Sequence, residues 1–200
     1  MIINSTDLDG HQLHTLLGTV VTPRPVAFIS TVGKDGIYNG APFSAVTPVS
    51  FKPPIMCFSA GVKKGGKEKD TTMNVKFSKD FVINIMDSSL MEPVIKTAGN
   101  FPGDVDEIKK MGFTSIPGDR VSSPRVAEAQ VSLECRLHHQ LGFGQGDDSR
   151  TVFFGEVLLF HIKDDIWAGK NVDPVKMKPF GRLGVNMYCR ATEITKIEYA

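Results

Sequence analysis

Between Pro25 and Ser59 the chain reads as three short extended pieces, Pro25–Thr31, Tyr38–Val46 and Ile55–Ser59. They are cut apart by Gly33-Lys34-Asp35-Gly36 and by Lys52-Pro53-Pro54. Glycine and proline at such breaks are turn chemistry, so this segment reads as consecutive strands. The second half repeats the theme. Val131, Leu133, Cys135 and Leu137 alternate with Ser132, Glu134, Arg136 and His138, which is the period of a strand with one buried face. Thr151 to Ile162 makes another strand, and the glycine-rich Gly142 to Ser149 joins the two as a hairpin loop. Lys69 to Ser78 predicts a helix with Asp70 or Thr71 as N-cap and with Met73 and Phe77 on one face. The strand Phe81-Val-Ile-Asn-Ile85 follows, then short helices over Asp87–Gly99 and Val105–Met111, lying outside the sheet. The segment from Asp164 to Ala200 is a mixed tail ending in a strand, Ala191 to Tyr199. Many antiparallel strands with few helices favour a mainly β barrel with α decoration over alternating β-α-β units.

With 41% apolar residues in 200, the chain can bury one sizeable core, and residues 1–200 are expected to form a single domain. Lysine plus arginine number 23 against 22 acids, so no general field exists to hold nucleic acid or an anionic membrane. Any anion must be bound locally. Cys57, Cys135 and Cys189 are odd in number and widely spaced, without a Cys-x-x-Cys pair, which argues against a disulfide framework and against zinc. A reducing compartment fits, and Met1 to Gly10 carries no basic and apolar signal segment. No run approaches the roughly 18 apolar residues of a membrane span. The expectation is a cytoplasmic protein.

The stretch Ser59-Ala-Gly-Val-Lys-Lys-Gly-Gly-Lys-Glu-Lys-Asp-Thr71 joins a strand to a helix through three glycines and four lysines. Glycines let backbone approach an anion, lysines neutralise it, and the helix start adds free N–H groups, so a phosphate fits there. Gly61-x-x-x-x-Gly66-Lys67 comes close to a nucleotide-triphosphate loop. Glu68, however, stands where a serine or threonine should hold magnesium, and its carboxylate would repel the triphosphate. Gly142-Phe-Gly144-Gln-Gly146 looks like a dinucleotide turn but leads into a strand, so it lacks the helix terminus that holds pyrophosphate. No metal site is expected. His138 and His139 point to opposite faces of one strand, and no carboxylate or cysteine pattern accompanies His11 and His14.

Five pieces carry a resemblance: Pro23-Arg24-Pro25-Val-Ala-Phe-Ile-Ser-Thr31, Asn39-Gly-Ala41-Pro42-Phe43-Ser44, Pro53-Pro54, Lys69-Asp70-Thr71-x-x-Asn74 and Phe81-Val-Ile-Asn84. In order and spacing they resemble the flavin reductase-like family. Asp106-Glu107 through Gly112-Phe113, Leu133-Glu134-Cys135 and Arg182-Leu183-Gly184 with Tyr188 resemble its flavoredoxin-like branch. The resemblance implies an FMN-binding split β-barrel, working as a homodimer with each flavin near the subunit seam. It also implies that Asn39, Ala41, Pro42, Phe43 and Ser44 line the isoalloxazine, with Thr31 contributing from the neighbouring strand. Ser59, Lys69, Thr71 and Asn74 would meet the ribityl chain and phosphate, Asp70 would act as the helix cap, and Arg24, Arg182 and Tyr188 would lie near the cofactor or seam. The implied reaction passes a hydride from NADH or NADPH to FMN, with a monooxygenase or another electron-acceptor protein as partner. Two other readings stay open: an electron carrier or ferric reductase with permanently bound FMN, and a non-catalytic flavin-binding or interaction protein.

Overall fold

The computed structural model describes residues 1–99 and 101–198. Helix α1 (Gly10–Val20) opens on a capping box in which Asp9 accepts from the Gln12 N–H at 2.7 Å and Gln12 accepts from the Asp9 N–H at 2.9 Å. After the short β1 (Arg24–Pro25) come β2 (Ala27–Val32), β3 (Tyr38–Phe43), β4 (Val46–Phe51) and β5 (Pro54–Gly61). Helix α2 (Asp70–Ser78) leads to β6 (Asp80–Ile85), the helices α3 (Met91–Lys96) and α4 (Glu107–Lys110), and the small β7 (Ser115–Ile116) and β8 (Arg125–Val126). The long hairpin β9 (Val131–Phe143) and β10 (Arg150–Ile162) precedes α5 (Pro174–Met177), β11 (Phe180–Arg182) and β12 (Tyr188–Arg190).

Seven strands form one antiparallel sheet in the order β3-β2-β6-β9-β10-β5-β4. Its edges, β3 and β4, are consecutive in the chain, yet they are not paired with each other. All seven strands nonetheless contribute to one buried cluster, with Ala27, Phe43, Val46, Phe58, Phe81, Leu133 and Phe153 among its members. A sheet whose every strand faces a common core must curl, and because its edges stay unpaired the result is a split β-barrel, mainly β with helical decoration. Phe58 sits at the centre, fully buried, with the rings of Phe43, Phe81 and Phe153 at 5.0, 5.1 and 5.2 Å.

The outer face of β2 carries a second core, in which Phe28 packs with Ile108 of α4 and Phe113. Gly40 is required there, since a Cβ on it would stand 2.3 Å from the Phe28 ring and 2.9 Å from Ile108. Buried polar side chains pin the loop that carries β8. Asp80 accepts from the N–H groups of Ser122 and Ser123, Glu134 from those of Asp119 and Arg120, and Asn84 from that of Val126. Each buried acceptor is thereby satisfied by backbone that would otherwise be unpaired.

Some boundaries depart from the sequence expectation. The extended piece Tyr38–Val46 breaks at Ser44-Ala45, and Val46 starts β4. Asp87–Gly99 shortens to a 3-10 turn, Ser88–Leu90, and α3. The N-cap of α2 is Lys69, with no side-chain cap, because Lys69 itself takes the extended conformation (φ −73°, ψ 155°). Asp70 stands one position inside the helix, and its carboxylate pairs with Lys63 at 2.8 and 3.0 Å. The expected strand Ala191–Tyr199 is absent over residues 191–198, and Tyr199 lies outside the described residues. β11 offers three residues to pair, and β12 uses them at Tyr188–Arg190.

Candidate functional site

Helix α2 lies against β2, β3 and β6 and drives Val75 into the barrel core. Its inward edge meets a closed polar network. The Asn39 amide, turned so that its oxygen avoids the Glu107 carboxylate, accepts from the hydroxyls of Thr71 at 3.0 Å and Thr31 at 3.3 Å, and its nitrogen donates to Glu107 Oε1 at 3.3 Å. Asn74 donates to the Thr31 hydroxyl at 3.1 Å. The structure thus brings together Thr31, Asn39, Thr71 and Asn74, with Thr31, Asn39 and Thr71 buried. Glu107, also buried, was not singled out as a site residue from sequence. Burial pushes its carboxyl up to about 7, and the charges of Asp70 and Asp106 push the same way.

On another side of the α2 start several cations gather around Lys69. The Lys69 amine is held below the ordinary lysine range by burial first, then by repulsion from Arg150, Lys63 and Arg182. Lys63 is matched by Asp70. Among the described residues, no carboxylate forms an ion pair with Lys69, Arg150, Arg182 or Arg24. Arg150 reaches the loop because β10 pairs with β5 in the register Arg150↔Gly61, and a Cβ on Gly61 would meet its guanidinium at 3.3 Å. Arg24 and Arg182 stand directly opposite each other across β1 and β11, an arrangement that costs stability unless an anion or solvent screens it. Backbone carbonyls orient both: Arg24 donates to those of Gly18 and Val21, Arg182 to those of Gly184 and Val185, and Arg182 lies 5.9 Å from the Tyr188 ring. His14 of α1 is held below the usual histidine range by burial, then by Arg150, Arg182 and Arg24.

The loop itself is tied to the hairpin. The Gly66 N–H donates to Asp147 at 2.7 Å, and at φ 70° a Cβ on Gly66 would press on the Gly146 backbone at 3.3 Å. Without a side-chain cap, the first N–H groups of the nine-residue α2 remain open to a ligand. The other expected ligands divide. Ser59 is half-buried on β5, Ala41, Pro42 and Ser44 are half-buried along β3 and the turn after it, and Phe43 points into the core against Phe58. Arg150 and His14 escaped the sequence reading, because strand register and helix packing bring them to the loop and no local motif does.

Comparison with known proteins decides the family. A family model described as "Flavin reductase like domain" matches residues 19–175. The chain belongs to this family. An uncharacterised protein of Aquifex aeolicus is 37% identical over 186 residues, covering 92% of this chain and 93% of its own. Nitrilotriacetate monooxygenase component B from Bacillus cereus is similar at 31% identity and a TM-score of 0.93, with 98% of each chain covered. The 2-nitrobenzoate 2-nitroreductase of Pseudomonas fluorescens is similar at 26% identity and a TM-score of 0.89, covering 100% of this chain and 96% of that one. Flavoredoxins share the flavin reductase-like fold.

Proposed function

We propose that the chain is a single-domain, FMN-binding, NAD(P)H-dependent flavin reductase acting as a homodimer in the cytoplasm. The observation that carries this reading is the group of unpaired cations at the glycine-rich β5–α2 connection. Lys69 is desolvated and repelled by Arg150 and Arg182, so a bound dianion relieves both costs. Lys69, Arg150, Ser59 and the open N–H groups of α2 would hold the FMN phosphate. Asn39, Ala41, Pro42 and Ser44 would line the isoalloxazine, with Phe43 turned into the core instead and with Thr31, Thr71 and Asn74 fixing Asn39 from behind through the bonds already described. Arg24, Arg182 and Tyr188 would border the cofactor on the positively charged side.

FMN supplies the redox chemistry when bound, accepting a hydride from NADH or NADPH and passing electrons on. The chain's own residues bind, orient and neutralise, and the reading requires no catalytic acid, base or nucleophile. An oxygenase partner is supported by the likeness to a monooxygenase component B, and enzymatic turnover by the likeness to a nitroreductase. Anaerobic addition of NADH and, separately, NADPH to the FMN-loaded protein, followed by absorbance, tests the reading. Bleaching of the flavin band by either nicotinamide is the expected result. A flavin that stays oxidised with both, yet is reduced by dithionite, would assign the chain to electron carriage.

A further inference from the structure

A cavity of about 270 Å³ opens between α2, the β2–β3 turn and the segment leading into α4. It is just below the size of typical ligand pockets, which run from roughly 300 to 1,000 Å³, and so suits only a small molecule. Its walls are mainly apolar. Met73 and Phe77, one turn apart on α2 and 47% and 61% exposed, both line it, so together they present adjoining apolar surface at its wall. Ile37 and Val105 complete the apolar lining. Glu107, only 6% exposed, also lines it, and its carboxylate accepts from its own backbone N–H and, at 3.3 Å each, from the Gly40 N–H and the Asn39 amide, all of them uncharged donors. No cation of the chain pairs with it among the described residues.

We infer that this cavity is a binding site for a small primary amine with an apolar body, its ammonium group on Glu107 and its body against Met73 and Phe77. A buried carboxylate without a cation is costly, and an ammonium donor provides the missing charge-assisted bond. The charged groups facing Glu107 reinforce the sign. Asp70 looks in from α2, already paired with Lys63, Asp106 precedes Glu107 on its own turn, and Asp35 stands on the β2–β3 turn with Lys34 as the lining cation. The cavity shares Asn39 and Asn74 with the residues assigned to the flavin site, but Lys69, Arg150 and Arg182 do not line it, and amine binding as proposed requires no flavin.

Calorimetric titration of the full chain with phenethylamine, phenethyl alcohol and phenylacetate reads the proposal directly. At about pH 8 the amine should bind at least about tenfold more tightly than the alcohol, with phenylacetate weakest. Its advantage should shrink toward pH 6, because Glu107 takes up a proton near 7. Glu107→Gln should abolish the preference for the amine. Met73→Trp, at an exposed position that folding tolerates, should weaken both the amine and the alcohol by filling the mouth. Equal affinity for all three probes, no amine binding at millimolar concentration, an undiminished preference in Glu107→Gln or unchanged binding in Met73→Trp would each overturn the inference.

Discussion

Lys69 and Glu107 show how burial sets the chemistry of single side chains in opposite ways. Lys69 is a desolvated cation among cations, so its replacement should act on anion affinity. Lys69→Ala should weaken FMN binding at least about tenfold, given that charge-assisted bonds contribute roughly 1.5–3 kcal/mol, and should leave riboflavin binding nearly unchanged. Fluorescence titration with both flavins checks it, and a parallel loss for riboflavin would remove Lys69 from the phosphate. Glu107 rises from 4.5 to about 7 on folding, so the folded state binds the proton more tightly. Its stabilising contribution is therefore full below about pH 4.5 and is lost as pH rises through 7, at roughly 1.4 kcal/mol per unit. Glu107→Gln should accordingly raise the melting temperature more at about pH 8 than at pH 5. The reverse order in thermal melts would mean that the carboxylate is stabilised when charged.

The elements were legible where their signals are local. The strand at Val131–Leu137 and the Gly33–Gly36 turn hold in the structure, because strand-forming residues and turn residues act over a few positions. The glycine–lysine connection was readable for the same reason. Arg150 was not, since it reaches Gly61 through the pairing of β10 on β5, and Glu107 was not, since the packing of α4 on β3 brings it to the Gly40 N–H and the Asn39 amide. The single buried face expected of Val131–Leu137 does not hold: Ser132 and Glu134 are buried too, Glu134 under the backbone of Asp119 and Arg120, and β9 runs on through Phe143, so the hairpin loop is shorter than Gly142–Ser149. The cap of α2 lies one residue earlier, at the extended Lys69, and Asp70, inside the helix, pairs with Lys63 instead. Asp70→Ala should thus cost no more than about 1 kcal/mol, the ordinary value of a partly exposed pair plus a helix-dipole contribution. It should leave FMN affinity in place, and a denaturant titration alongside a flavin titration separates the two effects. Phe58→Ala, by contrast, empties the centre of the barrel, where three phenyl rings meet, and should cost about 3–5 kcal/mol in the same denaturant experiment. A loss below 1 kcal/mol would show that the core collapses around the gap.

For the whole molecule, the surface suggests what the isolated chain leaves unfinished. Helix α1 buries no residue although Leu16, Leu17 and Val20 line it, and Phe51 on the edge strand β4 and Phe143 at the end of β9 are also exposed. Apolar surface of this extent, on a helix and a sheet edge, is suited to a second copy of the chain. Because His14 and the Arg24 anchor tie α1 to the cations, Leu17→Asp should lower both self-association and FMN retention. Sedimentation and flavin fluorescence over a dilution series would register a coincident loss, whereas a monomer that keeps its FMN would separate assembly from the site. The central claim is that the unpaired cations at the β5–α2 connection hold the phosphate of FMN, and titration of the flavin-free protein with FMN and riboflavin tests it most directly. FMN should bind at least about tenfold more tightly than riboflavin; equal affinities for the two flavins would contradict a phosphate held by these cations.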